Sequence, residues 1–183
     1  MNLLYLGGYK KRFNNIIKFI DIENTKKILE LAFGDIYIAQ WARSLDIDWV
    51  GIDVNESFVL NAKLNGYNAC LKDLSQIEEF PFNDLTIIAG SLYHFHQSIE
   101  GFITKIMNNT NVLLISEPIK NISSNKNLIG KIASNAANVN KGKEDFRYNE
   151  KSIIETLATI CNDRFNIQIL GYFKKDIIIK ISR

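Results

Sequence analysis

The sequence predicts an α/β chain with a doubly wound, mostly parallel sheet that ends in an antiparallel hairpin. Three observations carry that expectation. Short aliphatic runs alternate with segments of helical period from about residue 26 onward. The fifth run, NVLLIS (Asn111 to Ser116), has the aliphatic, β-branched composition of a strand buried on both faces. The last two runs, FNIQILGYF and DIIIKIS, are separated by only Lys174 and Lys175, which is hairpin spacing.

Taken in order, residues 1–25 form a lead-in whose apolar positions Phe13, Ile16, Ile17 and Ile20 have the spacing of an amphipathic helix. Residues 27–31 are the first strand. Gly34 turns the chain, and a helix with apolar positions Ile36, Ala39, Ala42 and Leu45 follows, with Asp35 as its expected cap. The run WVGIDV makes the second strand, and residues 56–65 a helix that stops at Gly66. Residues 67–71 and 85–89 are the third and fourth strands, with one long amphipathic helix expected over residues 91–107. After the fifth strand, Pro118 opens a stretch through residue 148 that is rich in Asn, Ser, Lys and Gly, a candidate lid or substrate loop. Asn149 and Glu150 are candidate caps for a final helix reaching Ile160. Five parallel strands and the hairpin make seven.

Composition limits the possibilities further. With 183 residues, 46% of them hydrophobic, the chain can build one well-formed core, so a single domain over residues 1–183 is expected. The formal charge of +2, without a basic block, argues against a dedicated nucleic-acid binder. Cys70 and Cys161 lack metal or disulfide spacing and are expected to be buried thiols. The start MNLLYLGGYKKR reverses the order of a secretory signal, and no apolar run has membrane-spanning length, so a cytoplasmic protein with no membrane partner is expected.

The acids carry the chemistry. Ligands of doubly wound sheets bind outside the carboxyl ends of the strands, where the strand order reverses. Glu30, Asp53 and Asp73 fall at the ends of the first three strands and are expected on one rim. A carboxylate after the second strand suits a ribose diol, because it accepts two hydrogen bonds. A dinucleotide would also need a glycine-rich turn and a helix N-terminus free for pyrophosphate. Here Ala32 stands at the first glycine place and Asp35 puts a negative charge where phosphate would lie. A cofactor without phosphates is favoured.

At this point the chain resembles the class I S-adenosylmethionine-dependent methyltransferases, a Rossmann-like fold. The resemblance runs from about residue 26 to Arg183 through ILELAFGD, VGIDVNE, NACLKDL, LTIIAGSLYHF and VLLISEP in order, followed by the antiparallel strand pair. It implies S-adenosylmethionine as cofactor. Glu30 would hold its methionine end through water, with Ala32 and Gly34 forming the turn beside it. Asp53 would bind the ribose and Val54 would pack on the adenine face. Asp73 and Leu74 would meet the adenine edge, while Gly90 and Ser91 would line the far side near the methionine moiety. Two departures stand out: Ala32 and Ile36 occupy places where the family usually has glycine.

Methyl transfer from a sulfonium is an in-line displacement in which positioning does much of the work. His94 is the candidate general base and Glu117 a second candidate catalytic residue, for acceptor binding or proton handling. His94 and His96, two residues apart on an expected helix, would point to different sides, and no metal site is expected. Tyr93 is within reach of the pocket or part of the packing. The segment AGSLYH lacks the pattern used for amide or exocyclic amine nitrogens, and no Pro-Cys pair is present, so a small-molecule or sugar-like acceptor is favoured over nucleic acid. Gly7 and Gly8 followed by Lys10, Lys11 and Arg12 could bind an anionic acceptor or phosphate, an alternative site that lacks Walker spacing. A non-catalytic methyltransferase-like binding or regulatory domain remains the second possibility, and a nicotinamide-dependent oxidoreductase a third that Asp35 and the hairpin disfavour.

Overall fold

The computed structural model describes residues 9–119 and 146–183. Five helices and seven strands are defined among them: α1 (Tyr9–Ile17), β1 (Lys27–Leu31), α2 (Tyr37–Ser44), β2 (Asp48–Asp53), α3 (Glu56–Leu64), β3 (Asn68–Leu71), β4 (Asn83–Ala89), α4 (Ile99–Asn108), β5 (Thr110–Pro118), α5 (Glu150–Cys161), β6 (Asn166–Phe173) and β7 (Asp176–Ser182). Lys120, Lys126, Lys131, Lys141 and Lys143, and with them most of the expected lid, lie outside the described residues, as do Gly7 and Gly8.

The strands form one sheet in the order β3-β2-β1-β4-β5-β7-β6. Strands β1 to β5 pair in parallel, and β7 runs antiparallel to both β5 and β6. The hairpin is closed by Lys174, whose φ of 55° is left-handed. Because successive residues of a strand face opposite sides, each strand feeds two cores. Leu113 and Ile115 of β5 join α4 and α5 on one face, while Leu114 joins α1, α2 and α3 on the other. The strand order reverses between β1 and β4, which places the crevice at their carboxyl ends.

The lead-in forms α1, with Phe13 and Ile16 buried in the second core and Ile20 just past its end also buried. Asn149 caps α5 in a reciprocal arrangement with Ser152, and Asn55 caps α3. Gly66, at φ 72°, follows the Asn65 end of α3.

Four expectations need correction. The segment after β4 is a 3-10 turn (Leu92–Phe95) followed by α4 from Ile99, and not one long helix. Glu117 fixes the start of that turn, its carboxyl accepting the backbone N–H groups of Leu92 (3.0 Å) and Tyr93 (3.3 Å). The cap position of α2 is Ile36, with no side-chain cap bond, so Asp35 stands one residue too early to be the cap. Cys161 is buried, but Cys70 is only half-buried because β3 is an edge strand. Arg12, grouped with Lys10 and Lys11 in the alternative anion site, is buried against the sheet while those two lysines are exposed, so the three do not share one surface.

Candidate active site

The turn after β1 is built on left-handed backbone at two places. Ala32 has φ 50° and Gly34 φ 61°. Left-handed backbone is costly for any residue with a Cβ, which is the physical reason for glycines in such a turn. The turn therefore keeps its geometry at Ala32 although the glycine is gone. Ala32 N–H donates to Ile52 O (2.8 Å), fixing the turn to the end of β2.

Asp53 ties the same two strands together from the other side. Its Oδ2 accepts from Gly34 N–H (3.0 Å) and its Oδ1 from Asn55 N–H (2.8 Å). Burial raises its pKa from the ordinary aspartate value, while the backbone N–H groups of Asn55, Gly34 and Val54 pull it back. Asp35, on the same turn, is raised by burial, with the N–H groups of Ile36 and Tyr37 and the charge of Lys10 opposing.

Glu30 lies deeper than an open rim position. It is 1% exposed, and its Oε2 accepts from Trp49 Nε1–H (2.8 Å). The indole reaches it by crossing Gly51, where a Cβ would come within 2.2 Å of Trp49 Cη2. Burial pushes the Glu30 pKa well up, the Trp49 N–H opposes this, and the charges of Asp35 and Asp53 raise it further. Its Oε1 is buried with no hydrogen-bond partner among the described residues. A buried polar oxygen left unpaired costs free energy, so this atom is available for a hydrogen bond with a ligand group or a bridging water.

Farther along the edge, Val54 presents an exposed side chain. Asp73 is exposed and caps a short 3-10 turn through Ser75 N–H (2.9 Å) and Ser75 Oγ–H (2.7 Å), while Leu74 is buried in the first core. The three acids thus differ: Glu30 is sealed, Asp53 nearly so, and Asp73 open to water.

Across the crevice, Gly90 ends β4 at φ 73° and its N–H donates to Ser116 O (2.7 Å). Ser91 begins the turn carrying Tyr93, His94 and His96. Tyr93 is buried, and the Arg147 guanidinium lies 3.2 Å above its ring centre. His94 is exposed beside the Tyr93 ring at 3.9 Å. His96 stacks on Phe146 at 4.1 Å, with Nδ1 3.1 Å from Tyr93 O. The two imidazoles therefore engage different neighbours. Among the described residues, no group of three or more His, Cys, Asp or Glu side chains is placed to hold a metal.

Glu117, near the end of β5, is fully buried under this turn. Burial pushes its pKa up to about 8; the Leu92 N–H, Arg12, the Tyr93 N–H and Arg147 all act to lower it. Nearby Tyr148 is pushed up to about 12 by burial and by the Glu117 charge. Its hydroxyl is buried without a hydrogen-bond partner among the described residues. On the other side of Glu117, Arg12 pairs with Asp176 at the head of β7 and donates from Nη2 to Ser116 O (3.1 Å). Ser116 Oγ completes the set by donating to Asp176 Oδ2 (3.0 Å).

Sequence reasoning missed Trp49, Asp176 and Tyr148. The available signal for Asp176 was a lone acid heading an otherwise aliphatic strand. Nothing in the local pattern marked the other two. A shallow groove at the opposite edge of the sheet, against Lys27, Asp48 and Asn68, holds none of the candidate residues.

No protein-family model and no curated protein sequence matches the chain. Its fold does match solved structures. The plantazolicin methyltransferase BpumL, solved with SAH and a desmethyl plantazolicin analogue, superposes with a TM-score of 0.74 at 13% identity, over 96% of this chain and 85% of that one. Magnesium protoporphyrin IX methyltransferase from Synechocystis PCC 6803, solved with SAH, gives 0.67 at 14% identity over 96% and 84%. An S-adenosylmethionine-dependent methyltransferase described as putative, from Listeria monocytogenes, gives 0.65 at 13% over 94% and 97%. The chain has the class I S-adenosylmethionine-dependent methyltransferase fold.

Proposed function

We propose that this chain binds S-adenosylmethionine in the crevice between β1 and β4 and transfers its methyl group to a small-molecule or sugar-like acceptor. The observation that carries the proposal is the pairing of Asp53 with the Gly34 N–H. It places a carboxylate at the carboxyl end of β2 beside a left-handed turn, where a ribose diol can donate to it. The residues suit the group. Glu30 offers an orphaned buried oxygen, and Val54 offers an exposed apolar face for a base. That two of the matched structures were solved with SAH supports the same cofactor.

In this proposal Glu30, Ala32 and Gly34 hold the methionine side of the ligand, and Asp53 takes the ribose. Val54, Asp73 and Leu74 border the base, with Gly90 and Ser91 opposite. The sulfonium supplies an electrophilic methyl when bound, and the protein supplies alignment. His94, exposed beside the Tyr93 ring, would take a proton from an acceptor hydroxyl, and Glu117 holds the turn after β4 through the Leu92 and Tyr93 N–H groups. A His94→Ala variant that keeps full turnover across pH, once an acceptor is in hand, would remove the base role.

Isothermal calorimetry with S-adenosylmethionine, S-adenosylhomocysteine and NAD tests the cofactor. Binding of either sulfur nucleoside and not NAD is expected, and Asp53→Ala should weaken it by about tenfold or more, the loss of a charged hydrogen bond. No affinity for either sulfur nucleoside would sink the proposal. The alternative, a methyltransferase-like binding domain without catalysis, is favoured by Ile36, buried where the family usually has glycine. Its signature would be cofactor binding with no methyl transfer to any acceptor class.

A further inference from the structure

The two edges of the sheet are built differently. β3 ends one side with four residues, and Lys72 and Asp73 follow it directly. Short length and nearby charge keep an edge strand from pairing with another chain. β6 ends the other side with eight residues, NIQILGYF, that include neither a charge nor a proline. Among the described residues it pairs with β7 alone, so its outer row of backbone N–H and C=O groups is open to a further strand. The one interruption is a bulge between Ile169 and Gly171, which leaves Asn166–Ile169 regular.

Apolar side chains flank this edge on both faces of the sheet. Ile169 and Tyr172, opposite Ile179 and Ile177 of β7, lie on the face that carries α4 and α5, and they are 41% and 55% exposed. The Tyr172 hydroxyl donates to Glu150 Oε1 (2.5 Å), which holds the ring in place. On the other face Phe19 is 37% exposed, its Cζ 3.9 Å from where a Cβ of residue 171 would lie.

The charges at the two ends of the strand have opposite sign. Exposed Asp163 precedes β6, and exposed Lys174 and Lys175 follow it. Arg164 and Arg183, at the acidic end, are turned onto the carbonyls of Ile160, Met107 and Asn108. A second copy laid parallel would set like ends together. Laid antiparallel about a two-fold axis, it sets acid against lysine, and symmetry makes each contact twice.

We propose that the β6 edge is an interface for a second copy of this chain, the two sheets joining antiparallel with Asp163 of each copy against Lys174 and Lys175 of the other. β5 and β7 stand between this edge and the crevice, so the inference is independent of the cofactor assignment.

Sedimentation velocity on the full chain, diluted from about 0.3 mM, tests it; a dimer that dissociates at about micromolar concentration is expected. Ile169→Lys puts a charge on the strand, as protected edges have, and should leave the chain monomeric. Lys174→Asp with Lys175→Glu should weaken the dimer by about tenfold or more, and adding Asp163→Lys should restore it to within about threefold. Aspartate tolerates the left-handed backbone of residue 174. If circular dichroism shows that Ile169→Lys does not fold, the charge reversal and its rescue carry the test alone, since all three residues are exposed. A wild-type chain that stays monomeric overturns the inference, including one whose edge takes up an extended peptide instead. A dimer that survives Ile169→Lys puts the interface elsewhere, and a reversal without rescue rules out the antiparallel pairing; each overturns it as well. None of these outcomes bears on the cofactor.

Discussion

Ala32 shows how one residue can hide a conformational motif. In the sequence it reads as a missing glycine; in the structure it sits at φ 50°, in the backbone state for which glycine is preferred. Its methyl group costs about 1–2 kcal/mol in that region, against roughly 0.5–1 kcal/mol of extra chain entropy that a glycine would lose on folding. Ala32→Gly is therefore expected to be neutral or stabilising by up to about 1 kcal/mol. Urea denaturation decides this, and a clear destabilisation would mean the methyl makes packing contacts that outweigh the strain. The same scale marks a boundary of sequence reasoning. Glu30, Asp53 and Asp73 were legible as strand-end acids from spacing alone. Their differences in burial were not, because burial depends on side chains such as Trp49 that arrive from a neighbouring strand.

At the scale of the element, β2 carries the most demanding local packing. Trp49 and Gly51 lie on one face of the strand, and the indole uses the space above Gly51 to reach Glu30. Gly51→Ala would force the indole or the strand to move, and overpacking of this kind typically costs about 1–3 kcal/mol. It should also disturb the Trp49–Glu30 hydrogen bond, so thermal unfolding and tryptophan fluorescence should change together. Fluorescence unchanged in a destabilised variant would show that the indole had not moved. The strands, the hairpin and the caps of α3 and α5 were readable from composition and turn residues, since these are local effects. The break between residues 91 and 107 was not, because the apolar period runs on through it while the backbone makes a short 3-10 turn at Leu92–Phe95 and starts a new helix at Ile99.

For the molecule as a whole, the buried acids set a pH dependence. Glu117 is pushed up to about 8 and Glu30 well above the ordinary range, both chiefly by burial, whereas in the unfolded chain each titrates near its ordinary value of 4.5. Between those limits the folded protein holds more protons than the unfolded one. Stability therefore falls as pH rises through this window, by up to about 1.4 kcal/mol per pH unit for each carboxyl. Asp35 and Asp53, also raised, add in the same direction at the acidic end. Glu117→Gln should flatten the fall measured by urea denaturation at pH 5, 6.5 and 8. Identical slopes for variant and wild type would mean that Glu117 is ionised in the fold throughout. Among the described residues no helix is long and apolar enough to cross a membrane.

The sequence by itself determined the alternation of elements, the parallel sheet with its closing hairpin, and the line of acids at the strand ends, because hydrophobic period and turn chemistry act over a few residues. The tertiary structure alone decided which of those acids are sealed from water and where Arg12 finds Asp176. Arg12 and Asp176 are 164 positions apart and meet only because the sheet brings α1 and the head of β7 to the same edge. Local pattern carries no record of such a meeting, since the free energy of a buried charge depends on which groups the completed fold places beside it.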